Sequence, residues 1–164
     1  MSSVPANQPL VPSVLDRLID REPGNTREVA KQRYQVLREM KQSVRRDLEN
    51  LLNTRLRSRR WPLEFDELKQ SLVAYGMPDL AGASLASDDA RREFLREVED
   101  TIIRFEPRFL SVSISPLDVT DRLDRSLRFR IDAQLRCEPA PEPVTYESSF
   151  EPTSGNVTVK GAGA

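Results

Sequence analysis

Carboxylates stand in close pairs at Asp88-Asp89 and at Glu97 and Glu99. Two Asp or Glu side chains, one protonated and one ionised, are the equipment of glycoside hydrolysis, so residue type alone admits cleavage of a cell-wall glycan. Position argues for a plainer use. Ser87 reads as a helix N-cap, and acids in a first helical turn lie at the positive end of the helix dipole. Glu97 and Glu99 fit the solvated face of the same helix. Other routes to catalysis lack their parts. The chain has no histidine, which removes the usual general base, the commonest metal ligand and any Ser-His or Cys-His nucleophile pair. A lone cysteine, Cys137, rules out an intrachain disulfide and a multi-cysteine metal site. Its alternating apolar surroundings favour a small buried hydrophobe over a reactive thiol. Glycine-rich phosphate loops, dinucleotide fingerprints, zinc spacings and nucleophile elbows do not occur. The expectation is a non-catalytic chain with no cofactor and no metal.

Binding chemistry has two candidates. One is Glu106-Pro107-Arg108, where a helical pattern stops and an alternating one begins. A helix end leaves unsatisfied carbonyls, and Arg108 can donate to them or grip a partner's carboxylate through a two-pronged hydrogen bond. Glu106 can pair with Arg108 or receive a cation from elsewhere. The other is the stretch 27–60, with eleven Arg or Lys against four Asp or Glu. Such a helix face can bind phosphates as a nucleic-acid module, or it can be ordinary solvated surface. The chain as a whole carries a formal charge of −1, so the remainder is acidic and complementary contact with other surfaces is expected.

The elements that must position these residues are legible from periodicity. At 164 residues, 38% apolar and 31% charged, the chain suits one soluble domain with a real core. Its apolar runs fall far short of the roughly 20 residues needed to span a bilayer. No signal peptide is read at the start, so the expected compartment is the cytoplasm. Residues 1–11 read as a flexible arm, 12–160 as a single domain and 161–164 as a tail. A short helix starts at Pro12 or Ser13 with Val14, Leu15, Leu18 and Ile19 as one apolar stripe. A long helix follows over much of 28–56, with Val29, Val36, Leu37, Met40, Val44, Leu48, Leu51, Leu52 and Leu56 recurring at three- and four-residue steps. Residues 58–87 are irregular, with Leu68, Leu72, Val73 and Tyr75 as expected anchors and a short helix or strand over 65–75. The third helix carries Phe94, Leu95, Val98, Ile102, Ile103 and Phe105 inward, and Pro107 ends it. Thereafter the period is two. Leu110, Val112 and Ile114 alternate with serines, and Leu127 through Cys137 alternate with Arg128, Arg130, Asp132, Gln134 and Arg136. The proline-rich stretch 138–143 predicts that Val144–Phe150 is an edge strand, with a last short strand at 157–159. The fold class is α+β, with helices packed on a small antiparallel sheet.

Four motifs occur in order: Pro12-Ser13-Val14-Leu15-Asp16-Arg17-Leu18, Leu51-Leu52-Asn53-Thr54-Arg55, Ser71 to Leu80 (SLVAYGMPDL) and Phe105-Glu106-Pro107-Arg108-Phe109. As a set they resemble the TssE family, type VI secretion baseplate subunits related to the lysozyme-like wedge proteins of contractile phage tails. The resemblance runs from about residue 12 to residue 150, and the stretch 138–143 is family-like. Met77, where the family often has leucine, is a departure that leaves its motif readable. The resemblance implies a small α+β domain without enzymatic activity. It implies binding to the wedge of TssF and TssG, with TssK nearby, at the cytoplasmic face of the inner membrane. The sheath of TssB and TssC would begin to polymerise there. It also implies that Glu106, Pro107 and Arg108 dock on the wedge. The slightly acidic chain, with no aromatic-rich strand signature, speaks against nucleic acid, and its short apolar runs speak against membrane insertion.

Overall fold

The computed structural model describes residues 10, 12–19, 23–24, 31–56, 65–78, 85, 87–117, 126–138 and 140–161. Four α-helices run α1 (Val14–Leu18), α2 (Arg33–Asn53), α3 (Asp66–Lys69) and α4 (Asp88–Phe105). Four strands follow: β1 (Phe109–Pro116), β2 (Leu127–Leu135), β3 (Glu142–Glu151) and β4 (Asn156–Gly161). The sheet is antiparallel in the order β1-β2-β3-β4, so each described strand pairs with its neighbour in sequence. The α+β expectation holds.

Alternation in the strands gives the sheet one apolar face, and the helices cover it. Phe129, Ile131 and Leu135 of β2, Val144, Tyr146 and Phe150 of β3, and Val157 and Val159 of β4 are all buried. Val44, Leu48, Leu51 and Leu52 of α2 meet them from above, α2 lying against β4. Phe94, Leu95, Val98 and Ile102 of α4 complete the core, with α4 against β1. Phe94 has its ring 4.7 Å from Phe150 and 6.1 Å, edge on, from Phe129. Each large side chain so enclosed stabilises the fold by about 1.5–3 kcal/mol. The opposite sheet face carries Arg128, Arg130, Gln134 and Glu147 to solvent.

Several expectations are corrected. Val144–Phe150 is not an edge strand: β3 pairs with β2 on one side and β4 on the other. Proline entry is tolerated because Pro143 opposes Gln134 at a position whose missing N–H faces away from β2. Leu110 is exposed, because a bulge between Phe109 and Ser111 shifts the phase and gives the buried place to Phe109. Ile103 of α4 is exposed as well. The stretch 65–75 holds α3 and a 3-10 turn at Leu72–Ala74, but Leu72 is 87% exposed and Val73 points outward too. Tyr75 packs on the core as expected, its ring edge-on to Phe105, and Ala74 and Met77 are buried beside it. The apolar stripe of α1 also faces out, with Val14 at 73%, Leu15 at 60% and Leu18 at 75% exposure. Residues 28–30 of the expected long helix and most of the expected arm lie outside the described residues, although Leu10 is described and buried.

The second and third motifs meet at one point. The N–H of Met77 donates to the carbonyl of Thr54, and the N–H of Leu56 donates to the carbonyl of Met77, both at 2.8 Å. These bonds make a parallel bridge between Arg55 and Met77 that ties the end of α2 to the loop after α3. Gly76 is required there. Its φ is +109°, and a Cβ would stand 2.3 Å from the Thr54 carbonyl oxygen.

Candidate functional site: the helix–sheet corner

The corner is built by a helix whose last residue, Phe105, lies two positions before a proline. The N–H of Glu106 still donates to the carbonyl of Ile102 at 2.9 Å, and the backbone then leaves the helix. The N–H of Phe109 closes the turn onto the Glu106 carbonyl at 3.2 Å. Arg108 already belongs to the sheet side, its carbonyl accepting from the N–H of Arg136 at 2.8 Å. Glu106 is thereby fixed inward, with 6% of its surface exposed, while Pro107 stands at the surface.

A buried carboxylate needs a partner, and Arg108 supplies it. Its Nε donates to Glu106 Oε1 at 2.6 Å, and its Nη2 donates to Glu106 Oε2. The backbone N–H of Arg108 adds a bond to Oε1 at 3.2 Å. Nη2 also donates to Oδ2 of Asp47, on α2, at 2.8 Å. Desolvation works against the Arg108 charge, yet its hydrogen bonds and charge contacts with Glu106 and then Asp47 outweigh it and raise its pKa. Arg108 therefore folds back on its own chain and grips carboxylates, not the free carbonyls of α4.

The network continues to α1. Arg46 donates to the other Asp47 oxygen, Oδ1, at 3.0 Å and reaches Asp16 Oδ1 at 3.2 Å. Asp16 also accepts from Ser43 Oγ and Ser13 Oγ, each at 2.5 Å. Desolvation opposes the Asp16 charge, but the bonds from Ser13, Ser43 and Arg46 prevail and lower its pKa. Three carboxylates and two guanidinium groups thus link α1, α2 and the corner in one line, with one negative charge in excess. Two tyrosines border it. Burial raises the pKa of Tyr75, and the charges of Asp47 and Glu106 raise it further. Tyr146 is raised chiefly by burial, and its hydroxyl donates to the carbonyl of Lys41 at 3.1 Å.

Glu106, Pro107 and Arg108 form one turn, and Asp47, Asp16 and Ser43 complete the arrangement around it. A signal for Asp47 existed. It falls three residues after Val44 and four before Leu51, an acid set into the apolar stripe of α2.

The other candidates resolve locally. Asp88 and Asp89 sit in the first turn of α4, where the N–H of Ala90 caps on Ser87 Oγ at 3.2 Å. They pair with Arg91 and Arg92 along the helix and are well exposed. Cys137 is half-buried, and burial raises its thiol pKa, away from the reactive thiolate. The basic face of α2 is largely occupied within the chain. Lys41 pairs with Glu142, Arg45 with Glu49, and Arg46 with Asp16 and Asp47, while Arg33 donates to the carbonyl of Glu138; Lys31, just before the helix, pairs with Glu39. No group of His, Cys, Asp or Glu placed to hold a metal occurs among the described residues. Among these residues no helix is long and apolar enough to cross a membrane.

An α+β scaffold whose charged groups lock its own helix–sheet junction, with apolar side chains left at the surface, has the character of an assembly subunit. The chain belongs to the baseplate wedge protein gp25 family, whose model matches residues 38–140. It is a phage-tail-like baseplate subunit of a structural family, and assembly with other baseplate components follows from that. The matched span takes in most of α2, the corner, β1 and β2. No curated protein and no solved structure matches the chain.

Proposed function

We propose that this chain is a TssE-type baseplate subunit of a type VI secretion system. In this reading it docks through the Glu106-Pro107-Arg108 corner on the TssF/TssG wedge, with TssK nearby. It sits at the cytoplasmic face of the inner membrane and offers the TssB/TssC sheath a sheet edge on which to start. The observation that carries the reading is the corner itself. Ion pairs from α2 and the turn after α4 hold it in one geometry, while Pro107 stays at the surface. A rigid protruding turn suits docking, because little side-chain freedom is lost on binding. Membership of the wedge family supports the same reading.

Glu106 and Arg108 then act mainly from within, presenting the turn. Co-purification with the TssF/TssG pair tests this, comparing wild type with Arg108→Ala and with Pro107→Arg. Loss of wedge binding by a folded Pro107→Arg chain supports docking. Normal binding by that variant would move the contact elsewhere. A nucleic-acid-binding module gains no support, because most basic groups on α2 are paired within the chain.

A further inference from the structure

The two outer strands of the sheet differ in what occupies their free edges. In antiparallel pairing, residues alternate between those bonded to the neighbour and those whose N–H and C=O point away. The bond from the Leu117 N–H to the Arg128 carbonyl, 2.9 Å, sets that alternation in β1. Val112 and Ile114 therefore turn their peptide groups away from β2, and among the described residues nothing pairs with them. In β4 the residues turned away from β3 are Val157, Val159 and Gly161, and α2 meets both peptide groups of Val157 and the carbonyl of Val159. Asn53 Nδ2 donates to the Val157 carbonyl and Asn53 Oδ1 accepts from the Val157 N–H, both at 2.8 Å. That exchange of two bonds with one residue is what a facing strand residue would make. Arg45 Nη1 then donates to the Val159 carbonyl at 2.9 Å.

We propose that α2 seals the β4 edge through Asn53 and Arg45, so that this sheet takes an added strand at β1 alone. The strand it fits is an extended segment of a partner chain. Its apolar residues would complete the cover over half-buried Val112 and Ile114, and its small polar residues would lie beside Ser111 and Ser113. A sheet open at both edges passes pairing in both directions and risks fibres. A sheet sealed at one edge starts an array in a single direction. The direction of growth rests on the sheath-starting reading above, whereas the seal does not.

The seal is tested on the free full-length chain, so wedge docking and sheath initiation do not enter the result. Wild type, Asn53→Ala and the same-helix control Asn50→Ala are compared by amide exchange at Val157 and by sedimentation velocity over a range of concentrations. In Asn53→Ala the Val157 amide is expected to exchange about tenfold faster, the loss of roughly one hydrogen bond. The variant is also expected to self-associate as concentration rises, and a lysine at the exposed Thr158→Lys position should restore the monomer. Wild type and Asn50→Ala stay monomeric. A folded Asn53→Ala chain with wild-type exchange, or one that stays monomeric throughout, overturns the proposal. If Asn53→Ala fails to fold, Arg45→Met keeps the apolar stem over β4 and removes only the donor, and its self-association decides in the same way.

Discussion

Arg108 and Asp47 lie 61 positions apart in sequence and meet at 2.8 Å. Through that contact the turn after α4 is fixed to α2, and the buried Glu106 receives the same guanidinium from its other side. The corner thus depends on a long-range pair for its shape and on a local pair for its charge balance.

Removing Arg108 should cost the fold as well as docking. Arg108→Ala leaves Glu106 buried without its counter-charge, a loss expected at about 3 kcal/mol in urea denaturation. Arg108→Lys keeps the charge but not the fork, and should cost less than half as much. Equal and negligible losses in both variants would mean that Glu106 finds another partner.

The seat of α1 should respond to acid. The Asp16 carboxyl is held below its ordinary value of 3.8, so it binds a proton less readily in the folded chain than in the unfolded one. Its contribution is complete above that ordinary value and is lost as pH falls through the lower folded value. Amide exchange in α1 should therefore rise below about pH 4 in wild type. In Asp16→Asn it should already be raised at neutral pH, with a flat acid profile.

Gly76→Ala should destabilise the chain by at least about 2 kcal/mol, since a side chain must be forced into a left-handed backbone against the Thr54 carbonyl. Ser148→Ala should act in the opposite direction. The Ser148 hydroxyl is buried without a hydrogen-bond partner among the described residues, and its removal is expected to stabilise by about 1 kcal/mol in thermal melts.

Strand addition at β1 is tested by Ile114→Pro. The substitution deletes an N–H that β2 does not use, so the sheet should persist while sheath assembly on the baseplate fails. Sheath formation at the wild-type rate would remove β1 as the starting edge.

What could be read from the residues follows from the range of the forces involved. The 3.6 and 2 periodicities marked α2, α4 and β2 because burial of a face imposes them locally, as with Leu48, Val98 and Phe129. The edge position of β3 was misjudged because pairing order depends on where the distant β4 folds, and Pro143 suggested an edge on local grounds. Leu110 was misplaced because a single bulge inverts a strand's facing, and no residue type announces one. In α1 the apolar stripe of Val14, Leu15 and Leu18 is real, yet Asp16 turns the other face inward by bonding Ser43 and Arg46. The motif at 105–109 located the corner, but Asp47 entered only through tertiary structure. Asn53 belongs to the motif at 51–55, but its place on the β4 edge exists only in the tertiary structure.

The most direct test of the corner is the affinity of the TssF/TssG pair for Pro107→Arg, measured beside its melting temperature. Docking through the corner predicts an unchanged melt and a loss of binding of tenfold or more, about 1.4 kcal/mol or greater. Wild-type affinity in a chain with an unchanged melt would contradict it.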